Sequence, residues 1–252
     1  MDGGNRRDGG RRRIDGDVMT VAVGETNWGT LYIVSTPIGN LKDITIRALE
    51  TLKSADLIAC EDTRVTIKLL NRHDIKKPLL SLHSKSNQSV IEKILRTLQN
   101  GASAVYVTDS GTPTVSDPGA RLVQRVVADG GRVVPIPGPS AVHAALAASG
   151  IPYGEYVFLG FLSNKASRRR RSLRLFKEHE NLLILYESPH RLLAFLHDAY
   201  DILGDIHCIV AKEMTKKFEK YYRGSLREVT DMVTRDGVRG EYTVILDNRN
   251  AS

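Results

Sequence analysis

A two-domain α/β fold is predicted by three features of this 252-residue chain. Short apolar runs recur along it, amphipathic stretches of helical length separate them, and the pattern changes near residue 150. The first run is LYIVS (31–35), and DLIAC (56–60), PLLSL (78–82), AVYVT (104–108) and RVVPI (132–136) follow. Each is short, rich in aliphatic residues and followed by a polar or Gly/Pro-rich turn: TPIGN, EDTR, HSKSN, DSGTP and PGPSA. Strands alternating with helices form a largely parallel sheet, and all five turns then share the carboxyl edge, where open α/β sheets bind ligands. An Ala-rich helix over 140–149 closes this domain, with Gly150 and Pro152 as its stop signals.

The second half offers strands YVFLGFL (156–162), LLILYES (182–188), CIVAKE (208–213), FEKYYRGS (218–225) and YTVIL (242–246), with helices over about 168–178, 189–203 and 226–236. Because only MTKK separates the third and fourth strands, they should form an antiparallel hairpin, as should neighbours at the chain's end, giving a mixed sheet. The expected organisation is a disordered basic leader (1–28), an N-terminal α/β domain (29–150) and a C-terminal α/β domain (151–252). The leader reading rests on five arginines among glycines and aspartates, a composition that cannot bury apolar surface.

With 41% hydrophobic and 26% charged residues, the composition is that of a globular domain. Neither a membrane-length apolar run nor a signal core is present in the sequence, so a cytoplasmic location is expected. Cys60 and Cys208 lie far apart inside strands, without the clustered spacing of a zinc site; neither a disulfide nor a metal is expected. A net charge of +7 favours anionic partners. Lys165 and the run Arg168, Arg169, Arg170 and Arg171 concentrate repulsive charge that a phosphate backbone would offset, so nucleic-acid binding is expected there.

The segment VTDSGTPTVSDPG carries a carboxylate (Asp109), a hydroxyl (Thr112) and turn-forming Gly111, Pro113 and Pro118 in one stiff loop, suited to a zwitterionic or cationic ligand. TPIGN has one glycine where a dinucleotide fingerprint needs three and lacks a phosphate-loop lysine. Its Pro37 and Gly39, like Gly138 and Ser140 of PIPGPSA, suggest rigid backbone that a ligand approaches closely, with Ser140 capping a helix. In EDTR, Asp62 or Thr63 can cap the next helix, yet Glu61, Asp62 and Arg64 together exceed a cap's needs. YESPHR places Glu187, His190 and Arg191 at another strand end, and KEMTKK places Lys212 and Glu213 likewise; these could move protons or grip phosphate.

In order and spacing, STPIGNLKDITIRALETLKSADLIACEDTR, VTDSGTPTVSDPG, PIPGPSA, YESPHRLL and AKEMTKKFE resemble the ribosomal RNA small subunit methyltransferase I family, a branch of the tetrapyrrole methylase superfamily. The resemblance implies two α/β domains with S-adenosylmethionine in the cleft between them, 2′-O-methylation of a cytidine in the decoding centre of 16S rRNA, and a homodimer. It also implies donor loops at Pro37 and Gly39, at Asp109, Ser110, Gly111, Thr112 and Pro113 with Val115, and at Gly138 and Ser140, with Tyr186 and the segment after Cys208 closing the site. The third turn, HSKSNQ, is less acidic than the resemblance leads one to expect and leaves His83 as its candidate base.

A ribose 2′-hydroxyl is a poor acid, so a nearby base or cation should assist it. The candidates are Glu61, Asp62 and Arg64, then Glu187, His190 and Lys212, with Lys165, Arg168 to Arg171 and Arg191 gripping rRNA phosphates. Two other readings stay open: a corrin or porphyrin methyltransferase with the same donor, and a non-catalytic RNA-binding module.

Overall fold

Strands buried on both faces need helices on both faces, and the first half of the chain supplies them in alternation. The computed structural model describes residues 28–83, 88–152 and 154–249. In chain order the first domain runs β1 (Thr30–Val34), α1 (Ile46–Ser54), β2 (Leu57–Cys60), α2 (Thr63–Arg72), β3 (Leu79–Ser81), α3 (Gln88–Gln99), β4 (Ala104–Val107), α4 (Gly119–Ala128), β5 (Arg132–Ile136) and α5 (Ala141–Ala147). Its five strands are ordered β3-β2-β4-β1-β5 and every pair is parallel. Residues of β2 and β4 are buried throughout. Leu31, Leu98, Tyr106 and Leu122 fill the layer on one side, and Val34, Leu52, Ile58 and Val105 fill the other.

All five expected strands therefore form, and their carboxyl ends lie at one edge. The leader expected over 1–28 lies outside the described residues except for Trp28, which packs against the first of these two layers. Local signals set the helix starts: Thr45 caps α1 by accepting from Ala48 N (3.1 Å), and Asp62 caps α2 by accepting from Arg64 N (2.8 Å). Ser140 occupies the cap position of α5 without making a cap bond; its hydroxyl meets His143 Nδ1 at 2.9 Å instead.

The second domain comprises β6 (Val157–Phe161), α6 (Ala166–Arg174), β7 (Leu182–Glu187), α7 (Pro189–Leu203), β8 (His207–Lys212), β9 (Lys220–Ser225), α8 (Leu226–Asp236) and β10 (Tyr242–Asp247). Its sheet is mixed, in the order β6-β7-β10-β8-β9. β8 and β9 pair antiparallel as expected, but residues 213–219 all stay out of the ladder, so Phe218 is not part of the strand. The expectation that neighbours at the chain's end form a hairpin is corrected: β10 does not pair with β9 but enters between β7 and β8, antiparallel to both. Its run of five buried residues fits this central position better than an edge. A capping box of Ser225 and Glu228 starts α8 at the expected residue.

Helices α6, α7 and α8 cover one face of this sheet. The other face, carrying Ile184, Ile209 and Ile245, is covered by Val142, Ala145 and Leu146 of α5, with Ile38 and Met214 beside them. The two domains thus share a core. Arg223 of β9 adds a polar tie, donating to Ala148 O (2.6 Å) and Ser149 O (3.4 Å) at the carboxyl end of α5, where unpaired carbonyls favour a cation.

Four successive arginines cannot share one face of α6, since each residue turns the helix by about 100°. Arg168 and Arg171 are exposed, whereas Arg169 is buried and donates to Asp198 of α7 through Nε (2.7 Å) and Nη2 (2.5 Å). Arg170 reaches Asp201 at 3.0 Å and Asp198 at 3.5 Å. The expectation of a uniform phosphate-binding run is therefore corrected: Arg169 cannot reach a phosphate, and Arg170 is engaged with α7. Removing one member of a buried pair strands the other charge, at a cost of about 3–5 kcal/mol. Arg169→Ala should lose about that much unfolding free energy in urea, while Arg168→Ala should change it by less than about 0.5 kcal/mol. Equal small losses would show that the pair does not hold α6 to α7.

Candidate active site

Three turns at the carboxyl edge of the first sheet are stitched to one another. Thr36 and Gly111 exchange backbone bonds in both directions (2.9 and 3.1 Å). The Thr36 hydroxyl donates to Thr108 O (3.1 Å), Ser35 Oγ donates to Thr112 Oγ1 (3.2 Å), and Thr112 Oγ1 donates to Pro139 O (3.0 Å). The loops after β1, β4 and β5 therefore form one rigid rim. A second clamp comes from the β8–β9 connection: Thr215 Oγ1 accepts from Asn40 N at 3.1 Å. A Cβ on Gly39 would lie 2.9 Å from Met214 O and 2.8 Å from Thr215 Oγ1, so the residue there must be glycine for the domains to meet.

Between this rim and the second sheet lies a cleft of about 390 Å³. That volume falls within the roughly 300–1,000 Å³ of small-molecule sites. From the first domain it is lined by Ile38, Glu61, the loop from Thr108 to Thr112, Val115 to Asp117, Ser140 and Ala141. The second domain contributes Phe161, Tyr186, Glu187 and Met214, with Gly240 to Thr243. Tyr186 is held edge-on by Phe158 and at a tilt by Phe161, at 5.0 and 5.5 Å between ring centres.

Carboxylates dominate the polar lining. Glu61 Oε2 accepts from Thr108 Oγ1 (3.1 Å), and Asp109 Oδ1 accepts from Asp62 N (3.0 Å). Asp117 Oδ1 accepts from the Tyr106 hydroxyl (2.9 Å) and from Gly119 N (2.8 Å). Glu187 is buried and accepts from Ser188 N (2.8 Å) and from Arg191 Nη2 (3.1 Å). Burial pushes the carboxyls of Glu61, Asp109 and Glu187 above their usual range; the charges of Asp109 and Asp117 push Glu61 further. Such a cavity suits a ligand that combines an apolar body with positive charge.

Asp109, Ser110, Gly111, Thr112, Val115, Ser140 and Tyr186 line the cleft, as do Glu61 and Glu187. Pro37, Gly39, Pro113 and Gly138 do not: they shape the loops behind it, Gly39 against the β8–β9 connection and Gly138 against Ser35. Asp62 and Arg64 are paired with each other (2.6 Å), an interaction that draws the Asp62 carboxyl down to about 2. His190 is exposed on the first turn of α7 and lies outside the lining. Lys212 points elsewhere, to Asp236 at 2.8 Å. Arg191 is not a surface phosphate ligand, because its guanidinium holds Glu187, the Leu162 carbonyl (2.6 Å) and the Asn164 side chain. Of HSKSNQ, residues 84–87 lie outside the described residues, and His83 is exposed. Met214 belongs to the segment after Cys208 expected to close the site, but sequence reasoning did not single it out, nor Asp117, Phe161 and Gly240 to Thr243. Asp117 carried a local signal, the SDPG turn, whereas Phe161 and residues 240–243 reach the cleft through the order of the second sheet.

The tetrapyrrole (corrin/porphyrin) methylase family matches residues 30–230. A Bacillus subtilis protein named ribosomal RNA small subunit methyltransferase I is 43% identical over 227 residues, covering 90% of this chain and 78% of its own length. A Thermotoga maritima protein of the same name is 44% identical over 221 residues, covering 88% and 99%. The chain belongs to the ribosomal RNA small subunit methyltransferase I family. Solved structures similar to this methyltransferase include a cobalt precorrin-4 methyltransferase, with TM-score 0.66 and 21% identity over 86% of this chain and 94% of that one. A uroporphyrin-III C-methyl transferase from Thermus thermophilus complexed with S-adenyl homocysteine has TM-score 0.62 and 19% identity over 86% and 97%. At these identities the likeness establishes the methyltransferase fold.

The raised Glu61 carboxyl has a consequence for stability. Folding favours its protonated form, so the fold loses stability as pH rises from the unfolded value, about 4.3, through the higher folded value, and the loss is then constant. Glu61→Gln is neutral throughout and can still accept from Thr108. Its melting temperature should exceed that of the unsubstituted protein at pH 7, with the gap closing toward pH 4. A gap independent of pH, or of opposite sign, would show that Glu61 is not held ionised at a cost.

Proposed function

We propose that this chain transfers a methyl group from S-adenosylmethionine to the 2′-oxygen of a cytidine ribose in the decoding centre of 16S rRNA. The observation that carries the reading is the cleft itself: a cavity of suitable size, formed where two domains meet, with carboxylates and aromatic rings for a cationic ligand and an open side for a nucleotide. When bound, S-adenosylmethionine supplies an electrophilic methyl group on a positively charged sulfur. The stitched loops around Thr36, Gly111, Thr112 and Ser140 would hold it from the first domain, and Tyr186 and Met214 would close over it from the second. Rigid loops suit this chemistry, because most of the rate of an in-line displacement can come from holding the two partners aligned.

Glu61 and Glu187 are the cleft carboxylates best suited to take the hydroxyl proton, since a carboxyl titrating above its usual range is a stronger base once ionised. Arg191 donates to Glu187 and would act as its positioning residue. Outside the cleft, Lys165 just before α6 and Arg168 and Arg171 on its exposed side would meet rRNA phosphates. The same reading makes the enzyme a cytoplasmic homodimer that works on the small ribosomal subunit.

Methyl transfer to isolated 30S subunits lacking the modification tests this function, with tetrapyrrole precursors as competing acceptors. Transfer to the 2′-oxygen of one cytidine and none to the macrocycles is expected; the reverse would make the chain a tetrapyrrole methyltransferase. The double substitution Arg168→Ala with Arg171→Ala should weaken 30S binding and flatten its salt dependence by roughly 0.7–0.9 in log–log slope for each phosphate no longer neutralised. An unchanged slope would remove α6 from the RNA surface.

A further inference from the structure

A second hollow adjoins the cleft on the outer side of the β8–β9 connection, and Gly240 lines both. The connection is wound tightly. Glu213 (φ 51°) and Thr215 (φ 65°) take left-handed conformations that non-glycine residues adopt at a cost. Three ties hold them there: Glu213 N donates to Glu241 O (3.0 Å), Lys216 Nζ bridges Glu213 (3.0 Å) and Glu241 (2.8 Å), and Thr215 N donates to Glu219 (2.5 Å). Gly240 (φ 92°) is part of the same lock, since a Cβ there would lie 2.6 Å from Glu213 Oε1. The winding turns the segment's two apolar side chains apart. Met214, 7% exposed, lines the cleft, and Phe218, 71% exposed, stands in the outer hollow.

A single exposed ring is ordinary on a protein surface, and it is the surroundings of this one that set it apart. They point to one kind of cover. Lys217 lies over the Phe218 ring at 5.6 Å, and Arg239 lines the same hollow; both are exposed and make no ion pair among the described residues. The nearby carboxylates are already taken. Asp236 is bound by Lys212 (2.8 Å), Lys220 (2.9 Å) and Tyr222, and Glu219 by the backbone of the connection. The hollow therefore offers an exposed ring with Lys217 over it and Arg239 in the same lining, two cations outside any ion pair among the described residues, and rings and cations together are how proteins hold unpaired nucleotides through base stacking and phosphate binding.

We propose that Phe218 is a stacking platform for a single-stranded RNA base beside the target nucleotide, with Lys217 and Arg239 on the adjoining phosphates. The inference rests on the RNA acceptor proposed above and names a part of the surface that would recognise it. The lock around Glu213 and Gly240 fixes the platform relative to Met214, so the same connection that borders the donor cleft also sets where the strand lies.

The test compares Phe218→Leu, which keeps an apolar side chain without a π-face, with Phe218→Tyr, which keeps the ring. Readouts are KM and kcat for 30S methylation, S-adenosylmethionine affinity by calorimetry, melting temperature and sedimentation. Phe218→Leu should raise KM for 30S subunits roughly tenfold while leaving kcat, donor affinity and melting temperature unchanged. Phe218→Tyr should match the unsubstituted protein. An unchanged KM in Phe218→Leu overturns the proposal, and so does a change in oligomeric state, which would make the ring a contact between copies. If the unsubstituted protein binds the donor but does not methylate 30S subunits, the RNA acceptor itself is wrong and the platform falls with it.

Discussion

The second sheet carries helices of its own on one face only, and α5 of the first domain buries the other. Ile184, Ile209 and Ile245 meet Val142, Ala145 and Leu146 across that seam. Each fully buried aliphatic side chain contributes about 1.5–3 kcal/mol, so separating the domains would expose an apolar surface that neither could leave in water. α5 begins at the last residue of the PGPSA turn, at the carboxyl edge of β5. Packing this helix onto the second sheet therefore brings the ligand edge of the first sheet to face Tyr186, Glu187 and Tyr242.

The cleft formed this way works against the stability of the fold around it. Glu61, Asp109 and Glu187 are carboxyls in surroundings that disfavour their charge. Thr114, Glu213 and Thr215 hold left-handed backbone at or near its margin, each at a cost of order 1–3 kcal/mol. Three of the four left-handed non-glycine residues among the described residues, Asp74 after α2 being the fourth, lie here with the three raised carboxyls, a concentration expected of a site kept for what it binds. Rigidity offsets the cost: the loops around Thr36, Gly111 and Thr112 bond to one another, so the charged groups cannot relax away from the cavity.

Much of this is legible in the sequence, for physical reasons. The runs that become β1 to β5 are continuous and apolar because a parallel sheet is covered on both faces, and each ends in a turn whose residue types differ visibly from the strand. The second sheet is legible in its elements but not in its order. No local feature of YTVIL says that it enters between β7 and β8, and the lining residues Tyr242 and Thr243 depend on that placement. The arginine run misleads because composition counts charges without direction: the helical turn sends Arg169 inward to Asp198, a partner 29 residues away. Pro37, Gly39 and Gly138 stand out as special backbone, yet what approaches Gly39 is the chain itself. A glycine required by close approach reads the same in sequence whether its neighbour is a ligand or another loop.

On the function proposed above, the cleft between the domains holds the methyl donor. Calorimetric titration of S-adenosylmethionine into the unsubstituted protein, Asp109→Asn and Asp109→Ala, at low and high salt, decides whether it does. Saturable binding of one donor per chain, weakened in both variants and little changed by salt, is the expected result. Absence of heat in folded protein, or the same affinity in all three, would contradict it and move the donor away from the sheet edge.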